Sequence, residues 1–463
     1  LMDMEDLNAA RDAIETAIRL APENPLNYVN LSKLQLTTGV YADALVSAQT
    51  AINLAPRFSQ AENALGNVYY ALRDYPEAEA AYRRATKNDP KDPNLLANLG
   101  NALARQHKLN EAKTSLCEAL KMDSSNPSIH TNYGGVLLEQ GDFKGAMEGF
   151  ERALQIEPEL PDAHWNRGLV SLISGQLSDG FADYEYRWRL PEFTERHAEI
   201  PLWHGENLDG KSILIHSEQG FGDTFQFIRY AMVLDKKGAE VYLETHSDLG
   251  RLLGRMPSLR RVVCRGDQLP DVDFQIPILS IPHRLGTNLG TIPEEVPYIP
   301  VNPAGALDLG VGGALTIGMA WAGRPTHKND AKRSISLDVL KPLFDLSDIA
   351  WVSLQVDGNH EEAISTKLPL KDLRPQINDF SDTAMAISNL DLVITVDPAV
   401  AHLAGALGKD VWILLPYVPD WRWMLNRDDS PWYPSARLFR QQSPGDWGPV
   451  ISQITASLQH RLG

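Results

Sequence analysis

A glycine-rich turn in the second half of the chain carries an acid that could act in catalysis. The run "SEQGFGDTFQFIRYA" spans 217–231, and a short apolar stretch, "SILI", leads into it. Glycines between a strand and a helix bring backbone N–H groups and a positive helix end close to a ligand. Asp223 then has two interpretations: a general base facing that ligand, or the N-cap of a helix beginning at 224. Spacing alone favours the cap.

A basic segment follows a later predicted strand. The run "WAGRPTHKNDAKRSI" (321–335) places four cations within ten residues, namely Arg324, Lys328, Lys332 and Arg333. Cations at the end of a strand suit a diphosphate, which accepts charge-assisted hydrogen bonds. A solvated surface loop explains the same composition equally well.

A third turn could also meet phosphate. In "ITVDPAVAHLAGALGK" (394–409) a predicted strand ends at Asp397, Pro398 fits a first helical position, and His402 falls in the first turn. The N–H groups at a helix N-terminus bind phosphate well. Alternatively, Asp397 and Pro398 only start the helix, while His402 packs between two halves of the fold.

Two further patterns carry less weight. The pair in "DVD" (271–273) could hold a metal–nucleotide complex, but it lacks other ligands, and no His/Cys cluster has metal-binding spacing. The run "DWRWMLNRDDSPWYP" (420–434) could stack a base or a sugar, although packing is favoured, with a minor ligand role for Arg422. We therefore expect neither a metal site nor a bound cofactor.

The elements that position these motifs alternate between strand and helix after residue 211. Helical patterns at 224–237, 336–345, 381–389 and 399–407 separate short β-branched runs, which predicts parallel sheets covered by helices. A proline- and glycine-rich stretch, 293–313, divides the region into two halves. A ligand is then expected in the cleft, at the carboxyl ends of the strands. The predicted strands are 212–216, 241–245, 261–264, 274–278, 315–323, 350–356, 390–397 and 411–416.

The first part of the chain repeats with a period of 34 residues. Small residues at fixed places and a proline closing most repeats are typical of the tetratricopeptide repeat. The pattern predicts four full repeats over 25–158, a half repeat before them and an atypical pair after them. The proline positions are Pro22, Pro56, Pro90 and Pro158, and the glycine positions are Gly66, Gly100, Gly134 and Gly168.

One repeat position is mostly asparagine: Asn30, Asn98, Asn132 and Asn166, with Ala64 at the second step. This position lies on the first helix of each repeat, which lines the concave face. Because asparagine both donates and accepts, such a column could pair with the backbone of an extended peptide. Simple tolerance of asparagine at this position is the alternative.

Composition narrows the class of protein. The net charge of −17 argues against general affinity for nucleic acid or anionic membranes, so a phosphate site must gather its own cations. The two cysteines fall in different predicted domains, and no apolar run is long enough to span a membrane. We expect a cytoplasmic protein. The opening "LMDMEDLNAA" has the character of a helix interior, which predicts a further segment upstream.

Three of these motifs together resemble a known arrangement: "EQGFGDTFQFIRYA", "WAGRPTHKNDAKRSI" and "DLVITVDPAVAHLAGALGK". The chain resembles a bacterial tetratricopeptide-repeat glycosyltransferase with a two-lobed (GT-B) catalytic region. That region is similar to the ADP-heptose:lipopolysaccharide heptosyltransferases, and the layout is similar to the O-GlcNAc transferases. The latter carry an asparagine ladder that holds protein substrates, which favours the peptide-binding interpretation of the asparagine column.

The resemblance implies roles for individual residues. Gly222-Asp223 matches the Gly-Asp that opens the first helix of the heptosyltransferases, where the acid is the proposed base. Lys328 and Arg333 match a segment that contacts the diphosphate. The donor-binding turn Asp-Thr-Gly-x-x-His corresponds to Asp397 through His402, with Pro398 and Ala399 replacing Thr and Gly. A hydroxyl donor is therefore lost. Further candidates for donor or sugar contacts are Gln219, Arg324, Gln355 and Arg422.

The expected organisation is an all-α repeat superhelix (1–176), a capping helix with a connector (177–211), an acceptor-side lobe (212–300) and a nucleotide-sugar lobe (301–463). The resemblance implies an inverting, metal-independent transferase acting on a protein or peptide presented by the repeats. Two alternatives stay open. One is a scaffold whose transferase region is inactive, and the other is a transferase for a lipid-linked or polysaccharide acceptor.

Overall fold

The computed structural model describes residues 4–301, 309, 315–325, 330–356 and 368–462, and the chain forms two compact units, Leu1–Val170 and Ser171–Gly463. Lys328 and part of the 293–313 stretch lie outside the described residues. Within the described ranges, no helix is long and apolar enough to cross a membrane.

The first unit consists of antiparallel helix pairs, which confirms the predicted repeats. One helix precedes four pairs and another follows them, and the lattice prolines lie in the turns that precede the second, fourth, sixth and tenth helices. The helices are α1 (Met4–Leu20), α2 (Pro25–Thr37), α3 (Tyr41–Leu54), α4 (Ser59–Ala71), α5 (Tyr75–Asn88), α6 (Pro93–Arg105), α7 (Leu109–Met122), α8 (Pro127–Gln140), α9 (Phe143–Ile156) and α10 (Pro161–Ile173).

The repeated glycines allow the two helices of a pair to touch. A Cβ atom added at Gly100 would lie 2.7 Å from Leu116, and one added at Gly134 would lie 2.7 Å from the Phe150 ring. Both distances are shorter than van der Waals contact, so only glycine fits. The glycine that recurs every 34 residues is therefore explained by the close contact between the two helices of each pair.

The second unit begins with α11 (Leu177–Tyr184) and a 3-10 helix, Glu185–Arg189, followed by a connector. A first sheet has strand order β3-β2-β1-β4, with all neighbours parallel. Its elements are β1 (Ser212–His216), α12 (Phe221–Phe227), α13 (Tyr230–Lys236), β2 (Glu240–Thr245), α14 (Ser247–Leu253), β3 (Arg261–Cys264), β4 (Phe274–Pro277) and α15 (Ile281–Arg284).

A second, six-stranded sheet has the order β10-β9-β8-β5-β6-β7 and is also parallel throughout. Its elements are β5 (Leu315–Ala320), α16 (Asp330–Arg333), α17 (Leu337–Phe344), β6 (Ile349–Ser353), β7 (Leu370–Asp372), α18 (Phe380–Ser388), β8 (Leu392–Thr395), α19 (Ala399–Ala406), β9 (Val411–Leu415), β10 (Ala436–Arg440) and α20 (Gly448–Leu462).

Both sheets change winding direction at a strand that precedes a predicted motif. In the first sheet β2 lies on one side of β1 and β4 on the other, and in the second sheet β6 and β8 flank β5. Crevices form at the carboxyl ends of strands at such switch points. The turn after β1 and the turns after β5 and β8 lie at these positions.

The predicted helix at 224–237 differs from the structure. It begins three residues earlier, at Phe221, and is interrupted at 228–229 between α12 and α13. Arg229 at the break is buried, and its guanidinium donates to Tyr298 Oη at 3.0 Å and to the Trp432 carbonyl at 2.8 Å. These contacts of a buried cation stabilise the interruption between α12 and α13. The local sequence does not reveal them, because the partners are distant in the chain.

Candidate functional site

Asp223 lies at the third position of α12 and not at its N-cap, which corrects the predicted boundary. Gly220 is the N-cap, and its backbone N–H donates to Asp223 Oδ2 at 2.7 Å. The carboxylate therefore holds the glycine turn against the helix from inside its first turn. The capping interpretation is correct in effect, although the residue at the N-cap is different.

The second oxygen of Asp223 is paired with Arg422, which the sequence offered only as a minor contact. Arg422 Nη2 donates to Asp223 Oδ1, and Nη1 donates to Asp420 Oδ1 at 2.8 Å. The guanidinium side chain is 8% exposed and lies over the Trp421 ring at 4.3 Å. Burial opposes its charge, but Asp420 and Asp223 outweigh burial and raise the pKa of Arg422. Asp420 was not among the predicted site residues.

His402 packs directly against the glycine turn. A Cβ atom at Gly222 would lie 2.7 Å from His402 Cδ2, so glycine is required there. His402 Nδ1 lies 3.0 Å from Tyr433 Oη, and its ring stacks on Trp423 at 5.1 Å. Burial, followed by the charge of Arg422, lowers the pKa of His402 to about 3. The imidazole is therefore neutral and can offer a hydrogen bond, but not a positive charge.

Asp397 lies beside His402 at the end of β8, with Oδ1 3.7 Å from His402 Nε2. Burial, with a further contribution from the charge of Asp420, raises the pKa of Asp397 to about 7. Pro398 is the N-cap of α19 and not its first residue, and it supplies no side-chain cap. Strongly shifted acids are enriched at functional sites.

The basic segment contributes Arg333 to the same place. Arg333 Nη1 donates to the Asp397 carbonyl at 2.8 Å, and its guanidinium lies against Gly323, where a Cβ would approach Nη2 to 2.4 Å. Within the described residues, the buried Nε atom of Arg422 has no hydrogen-bond partner, and that of Arg333 has only Asp330 Oδ1 at 3.5 Å as an ion-pair partner. Arg324 is exposed on the loop after β5.

Gln355 is not available as a direct ligand contact. Its side chain is buried, and Oε1 accepts from the N–H groups of Trp321 and Ala322 at 3.1 and 3.2 Å. Nε2 donates to the Ala322 carbonyl at 3.1 Å. Gln355 therefore fixes the backbone at the end of β5, where the basic segment starts.

The capping segment, which we define as α11 and the 3-10 helix Glu185–Arg189, contributes residues that the sequence did not identify. Gln219 Nε2 donates to Tyr184 Oη at 2.9 Å. Arg187 is completely buried, and its Nε donates to Glu218 at 2.9 Å. Because Glu218 belongs to the turn after β1, the segment holds that turn. The aromatic and charged run at 181–190 was the only sequence signal for this role.

Most of the predicted site residues of the second unit thus converge, namely Gln219, Gly222, Asp223, Arg333, Asp397, His402 and Arg422. Asp273, from the discounted acidic pair, instead accepts from the Ser212 N–H at 2.8 Å at the opposite end of β1. In the described part of the chain, no group of His, Cys, Asp and Glu could hold a metal ion.

In the repeat unit, two members of the asparagine column face a groove of about 380 Å³. Asn132 and Asn166 line it together with Tyr70, Arg105 and Glu139. The other two members differ, because Asn98 donates to Asn63 at 2.9 Å in the neighbouring repeat and Asn30 is exposed. The column is therefore interrupted at Ala64 in the sequence, and its asparagines do not share one set of contacts.

Comparisons with known proteins agree with the repeat fold. A family model described as "TPR repeat" matches residues 66–107 and 134–172, and one described as "Tetratricopeptide repeat" matches 93–126. The chain therefore contains tetratricopeptide repeats, a scaffold for protein interactions. It is a repeat protein whose second unit is an α/β structure with parallel sheets.

Relatives cover the chain only in part. Protein FlbA of Caulobacter vibrioides is 23% identical over 322 residues, which cover 61% of this chain and 52% of that protein. The chain thus spans about half the length of this curated relative.

Two similar solved structures are described as TPR proteins. TTC0263 of Thermus thermophilus is 23% identical and covers 36% of this chain and 92% of its own, with a TM-score of 0.34. YrrB, described as a TPR protein with an unusual peptide-binding site, is 20% identical, with coverages of 39% and 93% and a TM-score of 0.31.

Proposed function

We propose that the second unit is a two-lobed (GT-B) glycosyltransferase, resembling the ADP-heptose:lipopolysaccharide heptosyltransferases. It moves a sugar from a nucleotide-sugar donor to a protein or peptide that the repeats hold. The observation that carries the proposal is the convergence of three separate turns, those after β1, β5 and β8. They join Asp223 and Gly222 to Arg333, Asp397 and His402 at the switch points of two parallel sheets.

The chemistry assigned to Asp223 is removal of a proton. The acceptor hydroxyl oxygen attacks the anomeric carbon, the bond from that carbon to the phosphate oxygen breaks, and Asp223 takes the hydroxyl proton. The configuration inverts, and the nucleotide phosphate leaves with the bonding electrons. Each oxygen of Asp223 already accepts one hydrogen bond, and release of Oδ1 by Arg422 would leave that oxygen free for the acceptor hydroxyl.

The leaving phosphate provides a reason for that release. Within the described ranges the Nε atom of Arg422 has no hydrogen-bond partner, and that of Arg333 has only a long ion-pair contact with Asp330 Oδ1 at 3.5 Å, so both guanidinium groups retain donors for an anion. A phosphate that draws Arg422 away from Asp223 would prepare the base and stabilise the leaving group in one movement. Lys328 is expected to contribute a further positive charge.

The repeat groove is assigned to the acceptor. Asn132 and Asn166 offer amide donors and acceptors to the backbone of an extended segment, while Arg105 and Glu139 provide one charge of each sign. The acceptor we propose is therefore a polar, extended protein segment.

A second candidate function is a repeat scaffold whose α/β unit no longer catalyses transfer. Two observations favour it. Asp223 is closed off by its contacts with Gly220 and Arg422, and the turn at Pro398 lacks the hydroxyl of the related transferases.

A nucleotide screen separates the two candidates. We expect one class of nucleotide or nucleotide sugar to raise the melting temperature of the chain, with equal affinity in calorimetry with and without EDTA. Arg333→Gln should weaken this affinity by more than about tenfold, because a charge-assisted phosphate contact is lost. Arg437→Gln, at an exposed position on β10, should leave it unchanged. If no nucleotide binds the wild-type chain, the transferase proposal is wrong and the scaffold remains.

A further inference from the structure

Two arginines from separate segments meet at the carboxyl edge of the first sheet, and the charge of a third acts on the same place. Arg196 belongs to the connector before β1, Arg265 follows the last residue of β3, and Arg324 lies on the loop after β5. His246, which follows β2, lies among them: burial and the charges of Arg265, Arg196 and Arg324 lower its pKa, while Asp248 opposes them. We call these four residues the arginine cluster.

Two of the arginines donate hydrogen bonds to the same carbonyl oxygen. Arg196 Nη1 donates to the Ser217 carbonyl at 3.2 Å, and Arg265 Nη2 donates to that oxygen at 2.6 Å. Two guanidinium groups on one carbonyl repel each other unless an anion lies between them.

The acidic groups near these arginines in the described ranges balance their charge only in part. Glu244 is buried at the end of β2, where it pairs with Arg196 and also lies 2.9 Å from His197 Nε2. Arg265 has no carboxylate within ion-pair distance in the part of the chain that the structure describes, and neither has Arg324. Burial and the neighbouring charge of Arg196 lower the pKa of Arg265, and the charge of Glu244 opposes them only in part.

The arginine cluster adjoins the turn that carries the proposed base. The His246 ring contacts the Phe221 ring edge-on at 5.2 Å, and Phe221 precedes Asp223 by two residues. Ser217, which both arginines contact, is the first residue after β1. A group bound by the arginine cluster would therefore lie beside the site of transfer.

We propose that the arginine cluster is an oxyanion-binding site, which takes a carboxylate or phosphate group carried by one of the two reactants. The guanidinium groups of Arg196 and Arg265, which meet at the Ser217 carbonyl, provide the forked donors that such oxyanions accept, and Arg324 adds a further positive charge. The role in transfer rests on the proposed function, whereas anion binding by the cluster does not depend on it. The anionic group arrives either on the acceptor or on the sugar of the donor.

The binding test uses the full chain and inorganic phosphate as the probe. We expect phosphate, substituted for chloride at constant ionic strength, to raise the melting temperature of the wild type. Arg265→Gln should lose most of that rise. Its stability in chloride should change little, because relief of the repulsion from Arg196 offsets the lost hydrogen bond to the Ser217 carbonyl, which Arg196 still contacts. Arg265→Lys should retain part of the rise in phosphate.

Arg261→Gln is the matched control, since Arg261 is exposed at the other end of the same strand and its removal changes the net charge equally. In phosphate, the melting temperature of the control should rise as much as that of the wild type. An equal rise in Arg265→Gln and in the control, or no rise in the wild type, would overturn the proposal.

Transfer kinetics then identify the source of the anion. A Michaelis constant of Arg265→Gln that rises more than about tenfold for the acceptor alone assigns the anion to the acceptor, and a rise for the donor alone assigns it to the sugar. Unchanged constants for both reactants overturn the role in transfer. A chain that binds phosphate at Arg265 but transfers no sugar disproves the proposed function while the binding site stands.

Discussion

Asp223 has two partners at the scale of the single residue, and each predicts a different consequence of mutation. Its Oδ2 accepts from the Gly220 N–H, and its Oδ1 pairs with the buried Arg422. The first contact maintains the turn, and an amide can replace it. The second neutralises a cation whose one further carboxylate partner, among the residues that the structure describes, is Asp420. Loss of charge at Asp223 therefore affects Arg422 as well as catalysis.

Asp223→Asn should lower turnover by about 100-fold or more, because an amide cannot take the acceptor proton. It should also lower the free energy of unfolding by about 1–3 kcal/mol, since a buried guanidinium loses one of its carboxylates. Initial rates measured beside urea denaturation separate the two effects.

Asp420→Asn is the control for this variant, because it removes the other carboxylate from Arg422 without touching the turn after β1. We expect a similar loss of stability and a much smaller loss of turnover. Equal losses of turnover in the two variants would assign the effect to the placement of Arg422 and remove Asp223 as the base.

Asp397 gives a prediction about pH. Its pKa is raised to about 7, chiefly by burial, so above about pH 4 the folded chain keeps a proton that the unfolded chain has released. Stability therefore falls as pH rises from about 4 to about 7. Asp397→Asn mimics the protonated acid and escapes this loss. The free energy of unfolding of this variant, relative to that of the wild type, should be more than about 1 kcal/mol higher at pH 7.5 than at pH 5, as measured by urea denaturation.

The exposed Asp345 offers the comparison for this variant. Asp345→Asn should show the same difference from the wild type at both pH values. A difference for Asp397→Asn that does not change with pH would show that the carboxyl is ionised throughout the range.

The sequence predicted single residues of the site better than their partners. Gly222, Asp223, Asp397 and His402 stand in short runs whose order marks a turn from strand to helix. The pairing of Asp223 with Arg422 joins residues 199 positions apart. Nothing in either local sequence selects the other, because the contact is fixed only when the two parallel sheets come together.

At the scale of the element, predictability followed the strength of the local pattern. The helix pairs were visible because a packing constraint recurs every 34 residues. The strand β7 was not predicted, since it has three residues and none of them is buried. The strand β10 was also missed, because exposed Arg437 interrupts its short apolar pattern.

Two adjacent glycines in α8 test the packing constraint directly. A Cβ at Gly134 would lie 2.7 Å from Phe150 and 3.1 Å from the Ala146 carbonyl oxygen, whereas one at Gly135 would meet nothing within 4 Å. Gly134→Ala should therefore lower the free energy of unfolding by about 1–3 kcal/mol. Gly135→Ala should instead stabilise the helix by about 0.5–1 kcal/mol. Thermal unfolding of both variants checks the pair, and equal effects would contradict the close approach of α8 and α9.

At the scale of the whole molecule, the capping segment belongs energetically to the α/β unit. Arg187 is buried on Glu218 and also donates to Ser280 Oγ at 2.7 Å. A fragment spanning 171–463 should fold cooperatively. A fragment spanning 212–463 lacks Arg187 and leaves Glu218 without its cation. Its free energy of unfolding should be about 3–5 kcal/mol lower than that of the longer fragment. Melting curves of the two fragments test this, and equal stability would show that Arg187 contributes little.

The most direct test of the account is hydrogen exchange of the full chain with and without the nucleotide that binds best in the screen. One nucleotide site is proposed at the turns after β1, β5 and β8, so peptides covering 217–223, 321–325 and 397–402 should slow their exchange together. The 3-10 helix Trp421–Trp423, which contains Arg422, should respond with them. The repeats should not change. Protection confined to the repeats, or to one of the three turns alone, would contradict the account.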